Sequence, residues 1–372
     1  MDTTYERKYK DKQPVLAICY DFDKTLSPDD MQAQGYIQSV GCDVKKFWEE
    51  SNTLARDNDM DTNLAYMYKM LEEAEGALVF NKETLADYGA KVRLFPGVED
   101  WFERIRRYGK AQGVIVEHYI ISSGLKEMIE GTAMAKNGAF EKIYASSFYY
   151  NYKNVAKWPA QSINYTNKTQ FLFRIEKGVL DINDPAVNEY FKPEDIRVPF
   201  RNMVYIGDSD TDIPCMKLVN TNGGHSIGVY DPETQDKQKV FKMMKDRRIK
   251  YFAPADYSQG SELDVLLKAI IEKTAAYEAL ETCYVKDKLA AEEAEKAAET
   301  ITTIAKAKQI EQRENRSFTD VFHISPELLD TVARERAAFD APAARELRKL
   351  YESPAYKKLL SFISDAGFDE QA

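Results

Sequence analysis

An apolar, β-prone run from Val15 to Tyr20 delivers Asp21, Asp23 and Thr25 in immediate succession. A strand that ends in Asp-x-Asp-x-Thr places two carboxylates and a hydroxyl in one loop, at the edge where open α/β sheets hold their ligands. Two anions this close repel unless a cation or a shared proton offsets them. A carboxylate nucleophile working beside a metal, with a second carboxylate moving the proton, is one such use.

Further runs repeat the pattern. Met203-Val-Tyr-Ile-Gly207 ends in Asp208, with Asp210 and Asp212 close behind. His118-Tyr-Ile-Ile ends in Ser122, Ser123 and Gly124, then opens a helical pattern at Leu125. Hydroxyls and backbone N–H groups at a strand-to-helix turn suit an anion such as phosphate. Lys168 stands where another helical pattern begins (Phe171, Leu172, Ile175). A lysine there is ordinarily a solvated surface residue; in this series it is a candidate fixed positive charge facing a phosphoryl group.

In that order, Asp21-x-Asp23-x-Thr25, Ser122, Lys168 and Gly207-Asp208-x-x-x-Asp212 resemble the four motifs of the haloacid dehalogenase superfamily. Ile-Ser-Ser-Gly and the lead-in Phe95-Pro96-Gly97 are most similar to its phosphoserine-phosphatase-like branch, with Ser122-Ser123-Gly124 standing where that branch usually has Ser-Gly-Gly. The resemblance spans roughly residues 14–275. It implies a Rossmann-like parallel sheet and a magnesium-dependent phosphatase acting through an aspartyl phosphate. It implies Asp21 as nucleophile and Asp23 as acid and base. Thr25, Ser122, Ser123 and Lys168 would bind phosphate, and Asp21, Asp23 (through its carbonyl), Asp208 and Asp212 would serve the Mg2+. A phosphotransferase or phosphoprotein phosphatase of the same superfamily is the alternative within that chemistry. A scaffold acting through the carboxyl-terminal extension is the alternative outside it.

Strands that alternate with helices predict an α/β fold with a three-layer parallel sheet. Roughly ninety residues separate the first strand from the next, near Ile115, too many for a loop. Leu64, Met67, Tyr68 and Leu71 fall at helical spacing, and Gly41-Cys42-Asp43, Asp57-Asn58-Asp59 and Gly76 suit helix ends. These give a catalytic core over 1–29 and 91–275, an inserted helical cap over 30–90 and a helical extension over 276–372. The aromatic stretch 139–165 predicts a hairpin near the rim of the site. Beyond about Glu278 the composition turns to Ala, Glu and Lys, a long helix with a thin apolar stripe. Further helix starts are expected at Ser325-Pro326 and Ser353-Pro354, with apolar positions that need a surface on this chain, a second copy or a protein partner.

The net charge of −10 argues against nucleic acid or an anionic membrane as partner. No apolar stretch is long enough to span a bilayer, and the first residues lack the apolar run of a secretion signal, so a cytoplasmic protein with a small phosphorylated substrate is expected. The four cysteines show no paired spacing and read as reduced thiols, and His118, His225 and His323 have no partner at metal-ligand spacing.

Overall fold

The computed structural model describes residues 9–314 together with 349 and 352–354. The helix expected from Ser325, most of the tail's apolar positions and His323 lie outside the described residues. The chain divides into two compact units, Met1–Glu278 and Ala279–Ala372.

The first unit is built on the opening strand. In β1 (Val15–Tyr20) every side chain is buried, as a strand covered on both faces requires. The connection to β2 carries α1 (Tyr36–Ser39), α2 (Val44–Asp57), α3 (Thr62–Ala74), α4 (Lys82–Gly89) and α5 (Val98–Ala111). Asp43, Asp61 and Asn81 cap α2, α3 and α4 by accepting backbone N–H groups, so the predicted breaks are real helix starts. β2 (Ile115–Leu125) leads into α6 (Lys126–Gly131) and α7 (Ala133–Lys136), one residue later than the expected helix start. The hairpin β3 (Lys142–Tyr150) and β4 (Ala156–Gln161) occupies the aromatic stretch. There follow α8 (Lys168–Lys177), β5 (Met203–Gly207), α9 (Ile213–Thr221), β6 (His225–Tyr230), α10 (Gln238–Lys245), β7 (Tyr251–Pro254) and α11 (Glu262–Glu314).

The seven strands lie in the order β4-β3-β2-β1-β5-β6-β7, all parallel except β4. Alternation along β1 splits the core. Leu16, Ile18 and Tyr20 pack with Trp101, Phe102 and Ile105 of α5 and with Leu263, Leu267 and Ile271 of α11. Val15, Ala17 and Cys19 pack on the other face with Phe171, Leu172 and Ile175 of α8 and with Met216 and Val219 of α9. The result is the three-layer α/β architecture expected. All four cysteines are free, with Cys19 and Cys215 buried. Among the described residues no helix is long and apolar enough to cross a membrane.

His118 is a core residue: its ring nitrogens meet the Tyr20 hydroxyl (3.0 Å) and the Phe102 carbonyl (3.2 Å). His225 stacks on Tyr251. Of the described second unit, α11 continues from the first without a break at Glu278, so the final core helix and the Ala/Glu/Lys helix are one element.

Candidate active site

Strand register brings the acids together. Tyr20 pairs with Ile206 on one side and with Ile120 on the other. Asp21 therefore stands level with Gly207 and Ile121, one step short of Asp208 and Ser122. Its own N–H donates to the Ile206 carbonyl (3.0 Å), carrying the ladder into the loop. Lys24 adopts a left-handed conformation (φ +57°), which turns the chain sharply after Asp23.

Carboxylate oxygens of Asp21, Asp208 and Asp212 lie within 4.8 Å of one another, and all three residues are buried. Asp212, in a short 3-10 turn after Ser209, is committed to protein donors. Its Oδ1 accepts from Lys168 Nζ (2.8 Å) and the Tyr205 hydroxyl (2.9 Å), its Oδ2 from the Ser209 N–H (3.1 Å) and hydroxyl (2.9 Å). Gly207 makes room for it: a Cβ there would stand 2.6 Å from the Asp212 carboxyl carbon.

Lys168, the first residue of α8, is fully buried rather than solvated, and its Nζ lies 3.3 Å from Asp21 Oδ1. Burial alone would lower its pKa, but Asp21 and Asp212 outweigh it and hold it above the usual lysine value, so it stays charged. Asp21 Oδ1 makes no hydrogen bond among the described residues, although it is buried. Burial and then Asp212 push the Asp21 pKa up, against Lys168, Ser122 and the Phe22 N–H. Burial, with Asp212 and Asp21 behind it, pushes Asp208 up to about 7, against the nearby Lys239.

Asp23 faces a different way. Its Oδ1 accepts from the Met31 N–H (2.9 Å), and burial followed by Asp30 and Asp21 raises its pKa well above the usual carboxylate value. The Ser122 hydroxyl accepts from the Gly124 N–H (3.1 Å). The hydroxyl oxygens of Thr25 and Ser123 are buried without a hydrogen-bond partner among the described residues. Thr25 is tied through its carbonyl, which accepts from the Tyr257 hydroxyl (2.8 Å).

The structure thus gathers Asp21, Ser122, Lys168, Asp208 and Asp212 at one edge of the sheet, with Asp23, Thr25 and Ser123 on the adjoining turns. Lys24 is paired with Asp30 (2.9 Å) and Lys126 with Glu130 (3.6 Å). Tyr36 points into the cap helices, its hydroxyl on the Met70 carbonyl (2.6 Å). Sequence reasoning missed three residues. Tyr205 lies inside a buried strand. Tyr66 of α3 reaches the Ser123 carbonyl from the cap (2.7 Å). Lys239 of α10 lies 3.4 Å from Asp208 Oδ2. The signal for Tyr205 was present, because its side chain follows Met203 toward the α8 face; Tyr66 and Lys239 carry no local signal.

The chemistry of the donor set suits a small divalent cation: all donors are oxygens, and buried carboxylates are held near one another at a cost that a cation would remove. Asp21 and Asp208 hold uncommitted lone pairs, whereas Asp212 orients Lys168.

A family model described as haloacid dehalogenase-like hydrolase matches residues 18–217. An uncharacterized protein of Borreliella burgdorferi is 26% identical over 279 residues, which span 68% of this chain and 95% of that protein. Among solved structures, a HAD family hydrolase from Salmonella enterica subsp. enterica serovar Typhi is 16% identical, covering 70% of this chain and 73% of that one at a TM-score of 0.45. A phosphoserine phosphohydrolase-like protein from Francisella tularensis is 21% identical, covering 64% and 94% at a TM-score of 0.40.

Proposed function

The chain belongs to the haloacid dehalogenase-like hydrolases, and from that premise we propose that it hydrolyses a phosphate monoester through an aspartyl phosphate on Asp21. The observation that carries this reading is the state of Asp21: a buried carboxylate with one oxygen free of hydrogen bonds, facing a buried lysine that stays charged. An oxygen left without a donor keeps its lone pairs for attack.

Asp21 attacks phosphorus and takes the phosphoryl group. Lys168, held in place by Asp212, faces the charge that develops on the phosphoryl oxygens. Ser122, Ser123 and the N–H groups of their turn bind the remaining oxygens. Asp23 suits proton transfer: its raised pKa keeps it protonated near neutrality, ready to protonate the leaving oxygen. The resulting carboxylate then takes a proton from the water that cleaves the aspartyl phosphate. Asp21, the Asp23 carbonyl and Asp208 would hold Mg2+, with Asp212 supporting them. When bound, the cation offsets the negative charge that would otherwise keep a phosphate away from Asp21.

The test is hydrolysis of an aryl phosphate with magnesium and with excess chelator, for the unaltered chain and for Asp21→Asn. Turnover that needs both magnesium and Asp21 is expected. Undiminished turnover in chelator, or more than a few per cent of it in Asp21→Asn, overturns the reading.

A further inference from the structure

Lys239 stands in the first turn of α10, beyond the stretch that matches the family model, which ends at residue 217. Its position is set by packing. The neighbouring Val240 and Met243 are buried and press α10 onto β6 at Gly228. The Lys239 ammonium lies 3.4 Å from Asp208 Oδ2, with its side chain 46% exposed and that of Asp208 12% exposed. The cluster's other ammonium, Lys168, is fully buried against Asp21 and Asp212 and has nowhere to go.

Three carboxylates and two ammoniums leave the cluster negative. A divalent cation bound at Asp208 takes the lone pairs that Lys239 now faces, and the two positive charges repel. A long, half-exposed stem lets the lysine ammonium swing away without disturbing α10. It then remains at the mouth of the site as a cation freed for an incoming anion.

We propose that Lys239 is a substrate-contacting residue that exchanges partners, from Asp208 in the cation-free protein to the phosphate of the substrate once the cation is bound. This rests on the phosphatase reading above. The arrangement links the two ligands with opposite signs. Lys239 opposes the cation, and it favours the anion that follows.

The experiment uses the full chain and two probes, magnesium chloride alone and then inorganic phosphate at saturating magnesium, each titrated by thermal shift. In Lys239→Gln the magnesium midpoint falls by roughly two- to fivefold, as expected for losing one half-exposed ion pair. The phosphate midpoint rises by roughly three- to tenfold, as expected for losing one charge-assisted contact. Lys239→Arg keeps the charge and holds both midpoints near those of the unaltered chain. If Lys239→Gln moves neither midpoint, or moves both in the same direction, Lys239 is only a surface ion pair and the inference is overturned. If magnesium produces no shift even in the unaltered chain, the cation site itself, and with it the reading beneath this one, is overturned.

Discussion

The same strand, β2, carries a buried charge cluster near each end, and the two are built on opposite principles. Near its start, Glu117 receives both arms of the Arg197 guanidinium (2.8 and 2.7 Å) and the Tyr119 hydroxyl (2.7 Å), and Asp11 closes on Arg197 (2.6 Å). The guanidinium is matched as a fork to a carboxylate, the geometry that best offsets removal of charge from water. Near its other end, Ser122 adjoins a cluster in which carboxylates outnumber ammoniums and Asp21 Oδ1 has no donor. Burial is similar in the two places. What differs is whether the charges are answered within the chain. Arg197 and Glu117 complete each other, whereas Asp21 and Asp208 are held in a state that a ligand would relieve.

Four expectations put that contrast at risk. The largest is catalytic: Asp21→Asn lowers turnover by on the order of 10³-fold or more, because an amide is no nucleophile. The same replacement removes a repulsive charge, so without magnesium this variant melts no lower than the unaltered chain; a clear fall in melting temperature would show that Asp21 is stabilised in the fold after all. Next is Glu117→Gln, which leaves Arg197 buried without its full countercharge and costs about 3–5 kcal/mol in chemical denaturation, while turnover per folded molecule is unchanged. A cost near zero would erase the distinction between the two clusters.

The third concerns pH. Asp208 titrates near 7 in the folded chain and in the ordinary carboxylate range when unfolded. Between those values the folded state holds a proton that the unfolded state has released, so stability without magnesium falls as pH rises through that window. Magnesium competes with the same proton, and its binding weakens as pH drops below about 7. Melting curves across pH, with and without magnesium and beside Asp208→Asn, test both signs; a flat profile in the unaltered chain would refute them. The smallest expected change is in a chain ending at residue 280, which keeps every residue named in the site and retains its turnover on an aryl phosphate. A folded truncation that binds magnesium but has no turnover would place part of the catalytic apparatus in 281–372.

Much of this was legible before any coordinates. Apolar runs that end in acids or serines marked β1, β2 and β5, and the parallel register of three buried strands then left little freedom in where Asp21, Ser122 and Asp208 meet. Helix breaks in the cap were marked by residues that cap through their own side chains, so Asp43 and Asp61 announced α2 and α3. The environment of Lys168 was not legible, because a lysine at a helix start looks the same whether solvent or two carboxylates await it. Nor was the network at Glu117 and Arg197, whose partners lie eighty residues apart and belong to no motif. Lys239 was hidden for the same reason, since its meaning depends on α10 crossing β6.

One contact in the cap region bears on how substrate could enter. Where α4 crosses α6 the two backbones touch: a Cβ at Gly89 would collide with the Met128 carbonyl, and one at Gly131 with the Ala86 carbonyl. α6 follows directly from the Ser122–Gly124 turn. Although α4 falls inside the stretch expected to form the cap, it is therefore fastened to the helix behind the anion-binding turn. Any opening that swings the whole segment 30–90 as one lid would have to prise apart two helices with no side chains to slide on. Entry by that route would fall instead to α1–α3, whose hold on the site side includes the single hydroxyl of Tyr66, so the working hinge lies before α4 and not after it.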